Sequence, residues 1–179
     1  MFRPGAARKE GEYIMPLSGI PQPDILAIDA ALRLKKAGDS FAFALPWYQD
    51  PETLMLVDGK AEPYDMPHLT AMYRYLEQHG ELYWIEWRTP GGDFEPVGDV
   101  TLWQEALPIV IGRKDLRGRG IGHRTVAALM ERARRLGWRE LYVNEIYSFN
   151  TASRALFEGL GFAPCARTPQ GARYRCSLD

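Results

Sequence analysis

The apolar positions along the chain change spacing several times, and each change marks an element. In "AALRLKKAG", Leu32 and Leu34 alternate with other residues, which predicts a first strand with both leucines on one face. "FAFALPWYQDPETLMLVDG" is aromatic and broken by proline, and predicts short helix plus loop. "DMPHLTAMYRYLEQHG" sets Leu69, Met72, Tyr73 and Leu76 at helical spacing, with Asp65 as cap, Pro67 in the first turn and Gly80 as stop. "ELYWIEW" and "PVGDVTLW" read as strands joined by the turn "TPGGD". "LPIVIG" is a short continuous apolar run, the pattern of a central strand buried on both faces. A glycine loop follows, then a helix to Gly137 whose buried face carries Val126, Leu129, Met130, Ala133 and Leu136. "ELYVNEIY" is another strand. "NTASRALFEGLGF" is a short helix capped by Asn150 or Thr151 and ended by Gly161. "FAPCAR" and "ARYRCSL" across "TPQG" predict a last hairpin. The order is mixed α and β, with a strand–loop–helix–strand unit at its centre.

Composition adds limits. The 179 residues suit one domain, and 46% hydrophobic with 25% charged residues is ordinary for a soluble globular chain. Residues 1–14 are basic and hold Gly and Pro without an apolar centre, so a disordered leader is expected, with residues 15–179 as the single domain and Met15 as an alternative start. No apolar run reaches the roughly 20 residues of a membrane span, and a cytoplasmic protein is expected. Cys165 and Cys176 are too few for a disulfide framework or a metal quartet. His68, His79 and His123 lack ligand spacing, so no metal is inferred.

Charge is segregated. Residues 112–139 hold nine Lys/Arg against two acids, a net +7, while residues 44–110 hold twelve acids against three bases, a net −9. That division predicts two partners of opposite sign. Twelve of the 21 aromatics fall between Phe41 and Trp103, in the acidic stretch, and Trp47, Tyr48, Trp84 and Asp99 are the candidate acceptor-binding residues. Aromatics with carboxylates suit a cationic amine, whether a polyamine, an aminoglycoside-like antibiotic, or a peptide N-terminus or lysine. An acidic half would repel a phosphate backbone, so nucleic acid is not an expected partner. Monomer and homodimer are both open.

"DLRGRGIG" supplies the candidate chemistry. The first turn of a helix has unpaired N–H groups and a partial positive charge, and Gly118, Gly120 and Gly122 clear side chains from it. Arg117 and Arg119 add charge, so the loop suits phosphate oxygens. The dinucleotide fingerprint fails, because His123 stands where its third glycine belongs, and no Gly-Lys-Ser/Thr follows as a P-loop needs.

Arg117-x-x-Gly120-x-Gly122, between "LPIVIG" and "GHRTVAALMERARRLG", resembles the acetyl-CoA motif of the GNAT superfamily of N-acetyltransferases. The resemblance continues through "LYVNEIYSFNTASRALFEGLGF" and covers residues 98–162. "WYQDPET" and the Asn-x-x-Ser variant look most like the branch acetylating ribosomal-protein N-termini and related small amines. The resemblance implies an α/β fold (α+β mixed sheet): a mostly antiparallel central sheet with one splayed parallel strand pair, flanked by helices. It implies that acetyl-CoA lies in that splay, pairing with the backbone of Ile109, Val110 and Ile111, its diphosphate on Arg117, Gly118, Arg119, Gly120, Ile121 and Gly122. Backbone N–H near Val110 or Ile111 is the implied oxyanion donor.

The same resemblance implies catalytic roles. Many members carry a tyrosine acid where this chain has Phe157, which has no proton to give. In the Asn-x-x-Ser branch the serine takes that role, here Ser153, with Asn150 ordering the cofactor arm; both also suit helix capping. Glu145 is the expected base, with a raised pKa if partly buried, and Asp99 and Glu105 come next. The activity implied is direct transfer of acetyl from acetyl-CoA to a primary amine in a ternary complex. A non-catalytic acetyl-CoA sensor of the same fold is the alternative, with Phe157 in its favour.

Overall fold

The computed structural model describes residues 19–179. The expected leader, residues 1–14, lies outside them. Two antiparallel sheets form the frame. The first has five strands in chain order: β1 (Ile25–Ala27), β2 (Leu32–Lys36), β3 (Glu81–Arg88), β4 (Phe94–Leu102) and β5 (Ile109–Ile111). The second is β6 (Glu140–Tyr147), β8 (Gly171–Ser177) and β7 (Ala163–Arg167), in that order. Four α-helices flank them: α1 (Pro51–Asp58), α2 (Met66–His79), α3 (Ile121–Arg135) and α4 (Thr151–Glu158). A 3₁₀ helix, Ala42–Tyr48, precedes α1.

Local chemistry explains the helices. Asp50 and Asp65 accept from the N–H groups of Thr53 and His68, and each helix has proline in its first turn. One apolar stripe of α3 is buried, including Val126, Leu129, Met130 and Ala133. It packs with α4 on one face of the sheets, over Leu32, Leu34, Tyr83 and Ile85. The 3₁₀ helix and α2 cover the other face, where Phe41, Tyr48, Leu69, Tyr73 and Trp84 form a second core.

Three expectations change. The strand "LRLKK" is the second of its sheet; β1, three residues long, is too short for a periodic signal. β5 is an edge strand, not a central one: Ile109 and Ile111 are half-buried and only Val110 is fully covered. Its apolar run fits because its open edge faces an internal cleft and not bulk water. The expected splayed pair, β5 and β6, has no ladder between its members, which border separate sheets. The Tyr142 N–H donates to the Gln104 carbonyl at 2.8 Å, tying β6 to the segment just before β5. Between them Leu107, the only non-glycine with positive φ (43°) among the described residues, turns the chain into β5.

Candidate active site

A cleft of about 820 Å³ opens where the facing edges of β5 and β6 separate. At one end stands the glycine loop. Gly118 and Gly120 have φ of 73° and 75°, a conformation that costs other residues about 1–2 kcal/mol. Nothing lies within 4 Å of the position a Cβ would take at either, so the loop surface is bare. At Gly122 an added Cβ would lie 2.6 Å from the Leu156 side chain; glycine there lets α3 close on α4. No side chain caps α3, so its first N–H groups stay available to an anion.

The arginine of this loop is held. Arg117 Nε donates to the Ile111 carbonyl at 2.9 Å, and its terminal nitrogens reach Thr53 Oγ1 at 2.9 Å and Glu52 at 3.3 Å. Lys114 bridges Asp50 and Glu52, both at 2.8 Å. Hydrogen bonding to Lys114 pulls the Asp50 carboxyl down to about 2. Across the molecule, Arg132 pairs with buried Glu81 at 2.6 Å. The basic and acidic stretches thus neutralise each other in part.

Along the wall, β5 offers its free backbone edge. Thr101 N–H donates to the Pro108 carbonyl and Gly112 N–H to Val97, so the Val110 N–H between them faces β4. Alternation turns the N–H groups of Ile109 and Ile111 toward the cleft. Of the two expected oxyanion donors, Val110 is therefore already engaged and Ile111 points the right way.

On the opposite side, Asn150 caps α4, accepting from Ser153 N–H at 3.0 Å, while its amide donates to the Leu56 carbonyl of α1 at 3.2 Å. Capping and cleft lining coincide: Asn150 and half-buried Ser153 both face the cavity. A bulge in β6 between Val143 and Ile146 inserts one extra residue. The core face passes from Val143 to Ile146, and Glu145 is left to face the cleft. There it is half-buried and accepts weakly from Gln170 N–H at 3.4 Å. Tyr147 follows it, its phenol pushed up by burial and the nearby Glu145 charge.

The far end is aromatic and acidic. Asp99, 3% exposed, projects from β4 to the cleft wall. The Tyr48 hydroxyl donates to its carboxylate at 2.9 Å and Tyr73 at 3.0 Å. Burial raises the Asp99 carboxyl to about 7 against the opposing pull of these two bonds. Tyr64 lies stacked on Tyr48, with ring centroids 5.2 Å apart, and donates to Asp58 at 2.8 Å. Trp103 and Glu105 continue the wall; Glu105 is paired with Arg173.

Most of the expected site residues meet in this one cleft: Ile109 to Ile111, Arg117, Gly118, Gly120 to Gly122, Glu145, Asn150, Ser153, Tyr48 and Asp99. Three do not. Trp47, 8% exposed, packs its ring where a Gly112 Cβ would stand, and Trp84, 5% exposed, sits edge-on to Tyr73 in the second core. Both are spent on packing. Arg119 is exposed and borders a small separate recess with Trp87 and Asp115. Tyr73 and Tyr64 were not expected in the site. Tyr73 follows the helical stripe of α2 and reads as core, which it also is.

A family profile described as acetyltransferase (GNAT) domain matches residues 31–163. Among curated proteins none matches the chain in sequence. Solved structures share the fold at low identity. A domain from Methanocaldococcus jannaschii has a TM-score of 0.73 at 19% identity, covering 83% of this chain and 99% of its own. RimL, the ribosomal L7/L12 alpha-N-protein acetyltransferase, has 0.66 at 17%, covering 88% and 98%. Spermidine N-acetyltransferase from Vibrio cholerae, solved with CoA and spermine, has 0.60 at 14%, covering 84% and 97%.

Proposed function

The chain belongs to the GNAT family of acetyltransferases, which use acetyl-CoA as cosubstrate, and on that premise we propose that it moves the acetyl group to a cationic primary amine by direct transfer in a ternary complex. One observation carries the reading: a single cleft joins a bare anion-binding loop to a wall of tyrosines and carboxylates. The fit of the cosubstrate rests on the open space above Gly118 and Gly120. The backbone of Arg117 to Gly122 would hold its diphosphate, and the Ile109 edge with the Ile111 N–H its arm; the bound molecule supplies an activated thioester. RimL, by its description, acts on a protein N-terminus, and the Vibrio enzyme was solved with spermine; an amine acceptor here is consistent with both.

Each chemical need has a residue. Ile109 or Ile111 N–H donates to the oxyanion. Ser153, beside Asn150, delivers a proton to the departing sulfur. Glu145 at the β6 bulge and Asp99 in the wall are the carboxylates placed to draw in an ammonium and take its proton. Phe157, the feature that favours a sensor, is 1% exposed and packed edge-on to Phe162, so its missing hydroxyl reads as a packing choice.

The test is release of free thiol from acetyl-CoA against a panel of polyamines, aminoglycosides and peptides with free N-termini. Turnover with one cationic class and none with neutral hydroxyl acceptors is expected. Tight acetyl-CoA binding without thiol release from any amine would return the protein to the sensor reading.

A further inference from the structure

Three carboxylates of the described chain are buried: Glu81, Glu86 and Asp99, at 1%, 5% and 3% exposure. Two have their cations. Arg132 grips Glu81 at 2.6 Å, and Arg33 holds Glu86 at 2.6 Å. Asp99 has none: among the described residues no Lys, Arg or His comes within ion-pair distance of it. Burying a carboxylate without a cation costs several kcal/mol, and a carboxylate kept this way beside a cleft is a candidate for taking up a proton or a charge there.

The surroundings of Asp99 fit that arrival. It reaches the cleft wall from β4, directly across the ladder from Val110 on β5, between Ile109 and Ile111 whose N–H groups face the reaction space. Tyr48 from the 3₁₀ helix and Tyr73 from α2 clamp it from the other side. Oδ2 accepts from both hydroxyls, at 2.9 and 3.0 Å, whereas Oδ1 has one longer contact, 3.1 Å, to Tyr48. Oδ1 keeps the greater spare accepting capacity. The other cleft acids are more committed or more exposed. Glu105 is paired with Arg173, Asp58 accepts from Tyr64, and Glu145 is half-exposed at the bulge.

We propose that Asp99, clamped by Tyr48 and Tyr73, is the group that takes the acceptor ammonium's proton, with Glu145 left to attract the cation; this rests on the amine acetyltransferase reading above. An N–H bond of the ammonium breaks and an O–H bond forms on Asp99 Oδ1. The freed nitrogen lone pair attacks the thioester carbonyl carbon. The C–S bond then breaks with its electron pair on sulfur, and sulfur takes a second amine proton by way of the Ser153 hydroxyl. Asp99 afterwards gives its proton to water. Tyr48 and Tyr73 are positioning residues: their donated bonds favour the ionised carboxylate and keep it titrating near neutrality. The titratable groups facing Asp99 are these two and, one ring further, Tyr64; Trp84 and Val110 beside it carry no charge.

The experiment is kcat/KM against pH, from about 5 to 10, for the best amine of the panel. The parent should rise with pH through a midpoint near 7, as the carboxylate ionises. Tyr73→Phe removes one bond to the ionised form, so its midpoint should move to higher pH; a purely structural role would lower the rate without moving it. Asp99→Asn should lose the limb and fall about 10²–10⁴-fold near neutral pH. Asp99→Asn with the limb intact, or Tyr73→Phe with the midpoint unmoved, overturns the assignment while leaving acetyl transfer standing. A parent that releases no thiol with any amine overturns both.

Discussion

At the cofactor end of the cleft, consecutive residues from Arg117 to Gly122 supply the turn, the bare surface and the helix start together. At the acceptor end, one carboxylate is held by tyrosines 51 and 26 residues away in sequence, on two other elements. The first is a local device: its function follows from backbone conformation and needs little of the rest of the fold. The second exists only when the 3₁₀ helix, α2 and β4 are packed together. Damage to the first should remove binding and spare the fold. Damage to the second should change proton chemistry, and should also show in stability.

The largest effect is expected at Gly120. Its φ of 75° disfavours any Cβ, and an aspartate would add a negative charge in the open space proposed for the cofactor's phosphates. Gly120→Asp should weaken acetyl-CoA binding at least about 100-fold, or ~2.7 kcal/mol, by calorimetry. The position is exposed, so the loss of stability should be confined to the roughly 1–2 kcal/mol of the left-handed backbone. Equal affinity in parent and variant would break the local half of the contrast.

Asp99 is the counterpart. Its folded pKa of about 7 stands above the ordinary 3.8, so the folded chain holds that proton more tightly than the unfolded one. The stabilisation this brings is complete below pH 3.8 and is lost as pH rises through 7. Above that the fold carries a buried charge, at a cost of at most ~4 kcal/mol. Asn has no such charge. Asp99→Asn should therefore gain stability over the parent in urea at alkaline pH, with a smaller difference in mild acid. A pH-independent difference would mean that folding leaves the Asp99 carboxyl unshifted.

The same contrast explains what could be read from residue order. Arg117-x-x-Gly120-x-Gly122 and the cap at Asn150 are short-range patterns, and the structure puts them at one cleft. The helices and most strands follow for the same reason. β5 misled because an apolar run signals burial without saying whether a strand or a ligand lies alongside. Trp47 and Trp84 misled because aromatic rings in an acidic stretch look alike whether they line a cleft or fill a core. Tyr73 was invisible as a site residue: its ring obeys the buried stripe of α2, and only its hydroxyl reaches Asp99. Glu145 faces the cleft through a bulge that no spacing rule locates.

Ser153 tests whether the seam between the two ends is catalytic or only structural. Its N–H completes the cap of α4 whatever its side chain, so Ser153→Ala leaves that bond in place. Turnover should fall about tenfold, below the usual range for acid catalysis, because a thiolate with pKa of about 8.5 leaves readily unaided. Acetyl-CoA affinity should hold. Unchanged turnover would make water or Tyr147 the proton source.

The smallest effect bears on whether the two ends are independent at all. α1 touches both: Glu52 and Thr53 hold Arg117 of the loop, Leu56 holds Asn150, and Asp58 holds Tyr64 of the acceptor wall. Glu52 is well exposed, and exposed ion pairs contribute about 0–1 kcal/mol, so Glu52→Gln should leave stability nearly unchanged. Its charge nonetheless competes with any phosphate for Arg117 and Lys114. Removing it should tighten acetyl-CoA binding by a few-fold at low salt, within about 1 kcal/mol, and the gain should fade as salt screens the exposed charges. If affinity falls instead, Glu52 orients Arg117 toward the cofactor and does not compete for it. If affinity rises while the KM for the amine also rises, α1 transmits cofactor occupancy to the acceptor wall, and the local end of the cleft is less local than its sequence suggests.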